Sequence, residues 1–152
     1  MKTENKHITI SNSKAYYNYF IQDEFIAGIM LEGTEIKSVR QGKVNLADSY
    51  CAFKGNEMFV VGMHISDYEN ASFKKHDPKR DRKILLTKRE LKKLKIQVQE
   101  KGLTIVPINM FINDSGLAKV KIAVAKGKHT YDKKESLKQK DAKRDLENNL
   151  KY

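Results

Sequence analysis

The sequence holds a single cysteine, Cys51, in 152 residues. A lone thiol excludes an internal disulfide and suits a reducing cytosol, so the expected location is cytoplasmic. Long apolar runs are also missing. No stretch approaches the roughly 18–20 residues a membrane span needs, so no membrane partner is expected. The N-terminal MKTENKHITI lacks an apolar h-region and does not read as a secretory signal. His7, His64, His76 and His129 never fall at i, i+4 spacing, and Cys51 has no companion thiol, so no metal and no cofactor is expected. G-x-S-x-G, P-loop and G-x-G-x-x-G motifs are absent, and Gly127-Lys128 runs into His129 rather than Ser or Thr. The carboxylates are scattered and mostly flanked by lysines. The expected protein is not an enzyme. Cys51 itself sits in an apolar run and reads as a small buried hydrophobe.

Acid is outnumbered: 30 Lys and Arg stand against 19 Asp and Glu, a formal net charge of +11. The sequence pI of about 9.6 is typical of nucleic-acid proteins. A hydrophobic fraction of 39% is enough for a globular core, and the length suits one domain with a tail. The excess is clustered. Residues 74–95 carry eleven cations against Asp77, Asp81 and Glu90. Lys119, Lys121, Lys126 and Lys128 form a second run with no acid among them. Residues 130–152 are nearly balanced, with seven cations and five acids, so most of the field belongs to the part before them. Only five of the 30 cations are arginines. Lysine is a point charge without the bidentate fork, which suits backbone tracking better than base reading. A solubilising face would carry the same composition.

Period-two patterns mark strands at Tyr17, Tyr19, Ile21 and again at Ala27, Ile29, Leu31. Ile36 and Val39 lie three apart, Thr34 can cap and Gly42 can close, which predicts a short helix over 34–41. Runs 50–54 and 57–65 around Gly55-Asn56 predict a β-hairpin. Residues 66–83 read as a charged loop. Thr87 and Glu90 make a capping box for a helix carrying Leu91, Leu94 and Val98, stopped by Gly102. LTIVPINMFI and LAKVKIAVA predict a second hairpin, with Pro107 at an edge or a bulge. In its second strand Val120, Ile122 and Val124 share one face and Lys119 and Lys121 the other. Those lysines would stand about 7 Å apart, similar to the phosphate spacing of one strand. The sum is mainly β with flanking helices: an OB-like antiparallel barrel over 1–129, then a basic tail over 130–152. The tail's irregular stripe of Leu137, Ala142, Leu146 and Leu150 predicts disorder when free and helix when bound. The class alone leaves open a general single-strand RNA-binding or ribosome-associated OB protein.

The order of motifs goes further. Asn12–Arg40 reads NSKAYYNYFIQDEFIAGIMLEGTEIKSVR, followed by Gly42-Lys43-Val44-Asn45-Leu46 and Asp48-Ser49-Tyr50. His64-Ile65, the run His76–Leu86, Gly102–Pro107, Ala118–Lys121, Ala125–Lys128 and Tyr131–Lys134 complete it. This series, covering nearly the whole chain, resembles the SmpB family, the SsrA-binding proteins of bacterial trans-translation. The resemblance implies an RNA-binding protein that holds the tRNA-like domain of tmRNA near its elbow and delivers it to stalled ribosomes. The implied partners are tmRNA and both ribosomal subunits, with elongation factor Tu and alanyl-tRNA synthetase reached indirectly through tmRNA; the protein would act as a monomer. By position, Asn12, Leu85 and Lys119 match family residues implicated in tmRNA contact. Lys126 and Lys128, with Tyr131, Asp132, Lys133 and Lys134, match the start of a tail that enters the empty messenger channel and probes the decoding centre. Lys138, Lys140, Lys143 and Arg144 continue that tail. Lys14, Lys37, Arg40, Lys43, Lys79, Arg80, Arg82, Lys83, Lys121, Lys126 and Lys128 lie in the matched or basic segments and are expected on the RNA side. Ile26 stands where the family commonly has an acid, so position 26 is left out of the expected contacts.

Overall fold

The computed structural model describes residues 8–67, 77–100 and 102–128. The expected tail over 130–152, with its site residues Tyr131, Asp132, Lys133, Lys134, Lys138, Lys140, Lys143 and Arg144, lies outside the described residues, as does His76. The elements begin with β1 (Thr9–Ser11), α1 (Ala15–Asn18), β2 (Tyr19–Ile29), α2 (Gly33–Arg40), β3 (Val44–Asn45) and β4 (Tyr50–Lys54). They continue with β5 (Glu57–Val61), β6 (His64–Ile65), β7 (Arg82–Leu85), α3 (Lys88–Val98), β8 (Leu103–Ile112) and β9 (Ala118–Gly127).

Six strands close on themselves in the order β8-β4-β5-β7-β2-β9, with β9 returning to β8. Every pairing is antiparallel. Closure removes the sheet edges that would otherwise present unpaired backbone. The short β1 adds to β8, and β3 pairs with β6 in a small separate ribbon. The expected hairpin at Gly55-Asn56 forms, and Gly55 supplies the positive φ of +66° that its turn requires. Its second strand ends at Val61, earlier than the sequence pattern suggests, because Gly62 (φ +83°) breaks it before β6.

Period-two burial follows from closure. Met58, Val60, Ile84, Ile105, Met110, Val120, Ile122 and Val124 all point inward and are essentially inaccessible. Leu94 of α3 and Val39 of α2 enter the same core. Burying a side chain such as Leu94 contributes about 1.5–3 kcal/mol. The outer face of β9 divides in two. Lys119 and Lys121 are half-buried, whereas Ala123 and Ala125 pack with Ala15 of α1 and with Val106 and Ile108 in a second small cluster.

Local chemistry sets the ends. α3 carries the expected capping box, with Thr87 and Glu90 bonding reciprocally. For α2 the cap is Glu32, not Thr34: its side chain and that of Glu35 complete a capping box two residues earlier. Thr34 lies inside the helix, since Gly33 already has helical geometry. Pro107 sits at a bulge in the β8–β9 ladder, where it removes one donor without breaking the sheet.

Candidate nucleic-acid interface

The registers of three neighbouring strands place the interface. Gly28 on β2 is the partner of Leu85 on β7 and of Lys119 on β9. The three residues therefore form one row across the barrel wall. Ile26, two residues back on β2, faces Lys121. Lys83 shares the outward face of β7 with Leu85. The row lies in a groove of about 450 Å³ bounded on one side by Thr87, Glu90 and Leu91 of the α3 region.

Gly28 keeps the row close-packed. A Cβ there would stand 3.3 Å from Leu85 Cβ, so a larger residue would push Leu85 outward by a few tenths of an ångström. Leu85 is 48% exposed and Ile26 is 59% exposed. Two large apolar side chains thus stand open to solvent on one small face, beside lysines.

Charge on this face is local. Lys121 Nζ lies 3.0 Å from Glu24 and Lys83 Nζ lies 3.3 Å from Glu57, both half-exposed pairs. Exposed pairs of this kind contribute about 0–1 kcal/mol and open readily toward a stronger anion. Lys119 has no carboxylate partner among the described residues.

Of the residues expected from sequence, Leu85, Lys83, Lys119 and Lys121 come together here. Arg82 does not, and the expectation for it is corrected. Its side chain is wholly buried, with Nε donating to Glu35, Nη1 to the Met63 carbonyl at 2.9 Å and Nη2 to the Pro78 carbonyl at 3.1 Å. The period-two pleat explains this: Lys83 and Leu85 face out, so Arg82 and Ile84 must face in. Arg80 is half-committed to the same carboxylate, Nη2 donating to Glu35 at 2.6 Å. Burial alone would raise the Glu35 carboxyl. The hydrogen bonds from Arg80, the Glu32 amide and Arg82 outweigh it and hold Glu35 below the usual carboxylate range.

Asn12 is likewise an internal residue. Its side-chain amide donates to the Pro107 carbonyl at 2.9 Å and its backbone N–H to the Ile108 carbonyl at 2.8 Å. These bonds hold it at the β8 bulge, away from the Leu85–Lys119 row.

The remaining cations lie elsewhere. Lys37 and Arg40 are exposed on α2, and Lys43 follows in the turn. Lys79 is exposed beside Pro78. Lys14, Lys126 and Lys128 surround the end of β9, where Lys128 Nζ donates to the Tyr16 carbonyl at 2.9 Å and lies 5.0 Å over the Phe20 ring. Cys51 is buried, and burial pushes its thiol up, as expected of an inert core thiol. No helix among the described residues is long and apolar enough to cross a membrane.

Sequence reasoning left out Ile26 and Gly28, the centre of the face. The signal was present. Ile26 alternates with the inward-facing Phe25 and Ala27, and that period forces it outward.

Comparisons with known proteins bear on the family and the fold. The family described as SmpB protein matches residues 9–152. The SsrA-binding protein of Christiangramia forsetii is 50% identical over 140 residues, covering 92% of this chain and 89% of that one. The SsrA-binding protein of Shouchella clausii is 49% identical over 149 residues, covering 98% and 94%. A chain of the solved structure "tmRNA-SmpB: a journey to the center of the bacterial ribosome" superposes with a TM-score of 0.70 at 40% identity, covering 86% of this chain and 94% of that one. A match over this much of the sequence, on a closed barrel with the same order of motifs, places the chain in the SmpB family.

Proposed function

We propose that the protein binds the tRNA-like part of tmRNA on the β7–β2–β9 face and carries it to stalled ribosomes for trans-translation. The Leu85–Gly28–Lys119 row is the observation that carries the reading, because it puts exposed apolar surface and a lysine with no carboxylate partner among the described residues within one groove. Relatives bear the name SsrA-binding protein, and the superposed structure is described as tmRNA-SmpB in the bacterial ribosome. Helical RNA hides its base edges in a deep, narrow groove, so proteins read backbone, shape and exposed loop bases. Leu85 and Ile26 suit the sugar or base of such a loop, and Lys119 an adjacent phosphate. The protein works as a carrier in the cytoplasm rather than as a catalyst, and as a monomer.

The division of labour is part of the proposal. Residues 1–129 hold the RNA, and residues 130–152 read the ribosome. Truncation after Thr130 then spares tmRNA affinity and abolishes tagging on stalled ribosomes; equal loss of both contradicts the division.

Pull-down of the full chain from a bacterial lysate, followed by sequencing of the bound RNA, tests the function itself. The expected result is enrichment of tmRNA over bulk tRNA and messenger fragments. Indiscriminate capture would favour a general single-strand binder instead.

A further inference from the structure

The most basic stretch of the sequence is only partly used by the face just described. Its helical half, α3, has two unlike flanks. One is tied to β2: Lys93 Nζ lies 5.6 Å over the Phe25 ring, and Gln97 donates to Asp23 at 2.7 Å. On the other flank Lys88, Lys92 and Lys95 recur at i, i+4 and i+7, which puts them in one line. They rim a cleft of about 410 Å³ between α3 and the β4–β5 hairpin, whose lining is completed by Phe53, Leu91 and Asn56. Lys95 Nζ reaches Asn56 Oδ1 across the opening at 3.4 Å. No acidic side chain lines this cleft. Glu90, the one acid of α3, is held in the capping box on Thr87.

Three cations around an aromatic and an aliphatic side chain match the two chemistries of an unpaired nucleotide, a phosphate and a stackable base. Leu91 lines this cleft and also the Leu85–Lys119 groove, so the two are continuous across the first turns of α3. That continuity identifies the occupant as the same RNA. We propose that the cleft is a second contact for the RNA bound at the Leu85 face: one unpaired nucleotide sets its base on Phe53, and Lys88, Lys92 and Lys95 hold the adjoining phosphates. The inference rests on the function proposed above and adds a single-stranded segment to the RNA it requires.

The test is filter binding of full-length protein to tmRNA across a salt series, with three variants side by side. Lys88→Gln/Lys92→Gln/Lys95→Gln should weaken binding and flatten the dependence of log K on log salt by about 2, from roughly 0.7 per single-strand phosphate. Phe53→Leu keeps apolar bulk against the core but removes the ring; it should cost about fivefold or more in affinity with the salt slope unchanged. Lys119→Ala reports on the first face. If Lys119→Ala weakens binding while the triple variant and Phe53→Leu bind as wild type, the cleft proposal is overturned and the first face stands. If Lys119→Ala is also without effect, the function reading fails with it. A labelled polyglutamate peptide is the second arm. If it binds wild type but not the triple variant while tmRNA affinity is unmoved, the cleft takes an acidic protein and the RNA proposal is wrong.

Discussion

Arg82 on β7 donates its Nε–H to Glu35 on α2, and neither side chain reaches solvent. The pair joins residues 47 apart in sequence and fastens α2 to the barrel wall. Arg82 also satisfies the carbonyls of Met63 and Pro78, so it organises the chain on both sides of the residues around Asp77.

Breaking this pair should cost stability rather than RNA affinity. Arg82→Ala leaves a buried carboxylate with only Arg80 beside it and frees two carbonyls. A loss of about 3–5 kcal/mol is expected, read from urea unfolding. The folded fraction should bind tmRNA as wild type does. A variant of normal stability with lost RNA affinity would show that Arg82 reaches the RNA after all.

The same pair sets an acid limb to stability. Glu35 is held below its ordinary range in the folded state, so the unfolded chain takes up a proton first as pH falls. Its stabilisation is fully present above the unfolded value near pH ~4.3 and is lost as pH drops through the lower folded value. Glu35→Gln should be less stable at pH 7 yet show a flatter decline between pH 5 and pH 3 than wild type. Parallel declines in the urea midpoint would rule out Glu35 as a source of the acid limb.

Gly28 offers a test that leaves charge untouched. An added Cβ would stand 3.3 Å from Leu85 Cβ, so Leu85 must give by a few tenths of an ångström, and the γ-methyls of a β-branched side chain would press it further from its place. Gly28→Val should lower tmRNA affinity about fivefold or more, while thermal unfolding, in a position with open solvent on one side, shifts by only about 1–3 kcal/mol. Unchanged affinity would mean that the position of Leu85 is irrelevant to binding.

Much of this was legible in the sequence because periodicity reports burial. Val120, Ile122 and Val124 fixed the inward face of β9, and Lys119 followed on the outside. The capping box on Thr87, the turn at Gly55-Asn56 and the disturbance at Pro107 all arise from chemistry within a few residues, which sequence displays directly. Arg82 is not legible in this way, for the opposite reason. Its role is set by a partner far along the chain, Glu35, and nothing local distinguishes a buried guanidinium from an exposed one. The α2 cap moved from Thr34 to Glu32 because glutamate is a less usual cap than threonine, and only the fold shows that Gly33 is already helical. Ile26 was set aside on the family's habit at that position, although its own alternation with Phe25 and Ala27 placed it on the open face.

The affinity of Lys119→Ala for tmRNA, followed from 50 to 300 mM salt, tests the central claim most directly. Lys119 is half-buried in a groove beside Leu85, on a strand whose inward residues hold the core, so its truncation should leave the unfolding midpoint unchanged. The expected result is weaker binding at every salt concentration and a salt slope reduced by about 1. Wild-type affinity and slope in a normally folded Lys119→Ala protein would contradict the assignment of the β7–β2–β9 face as the RNA-binding surface.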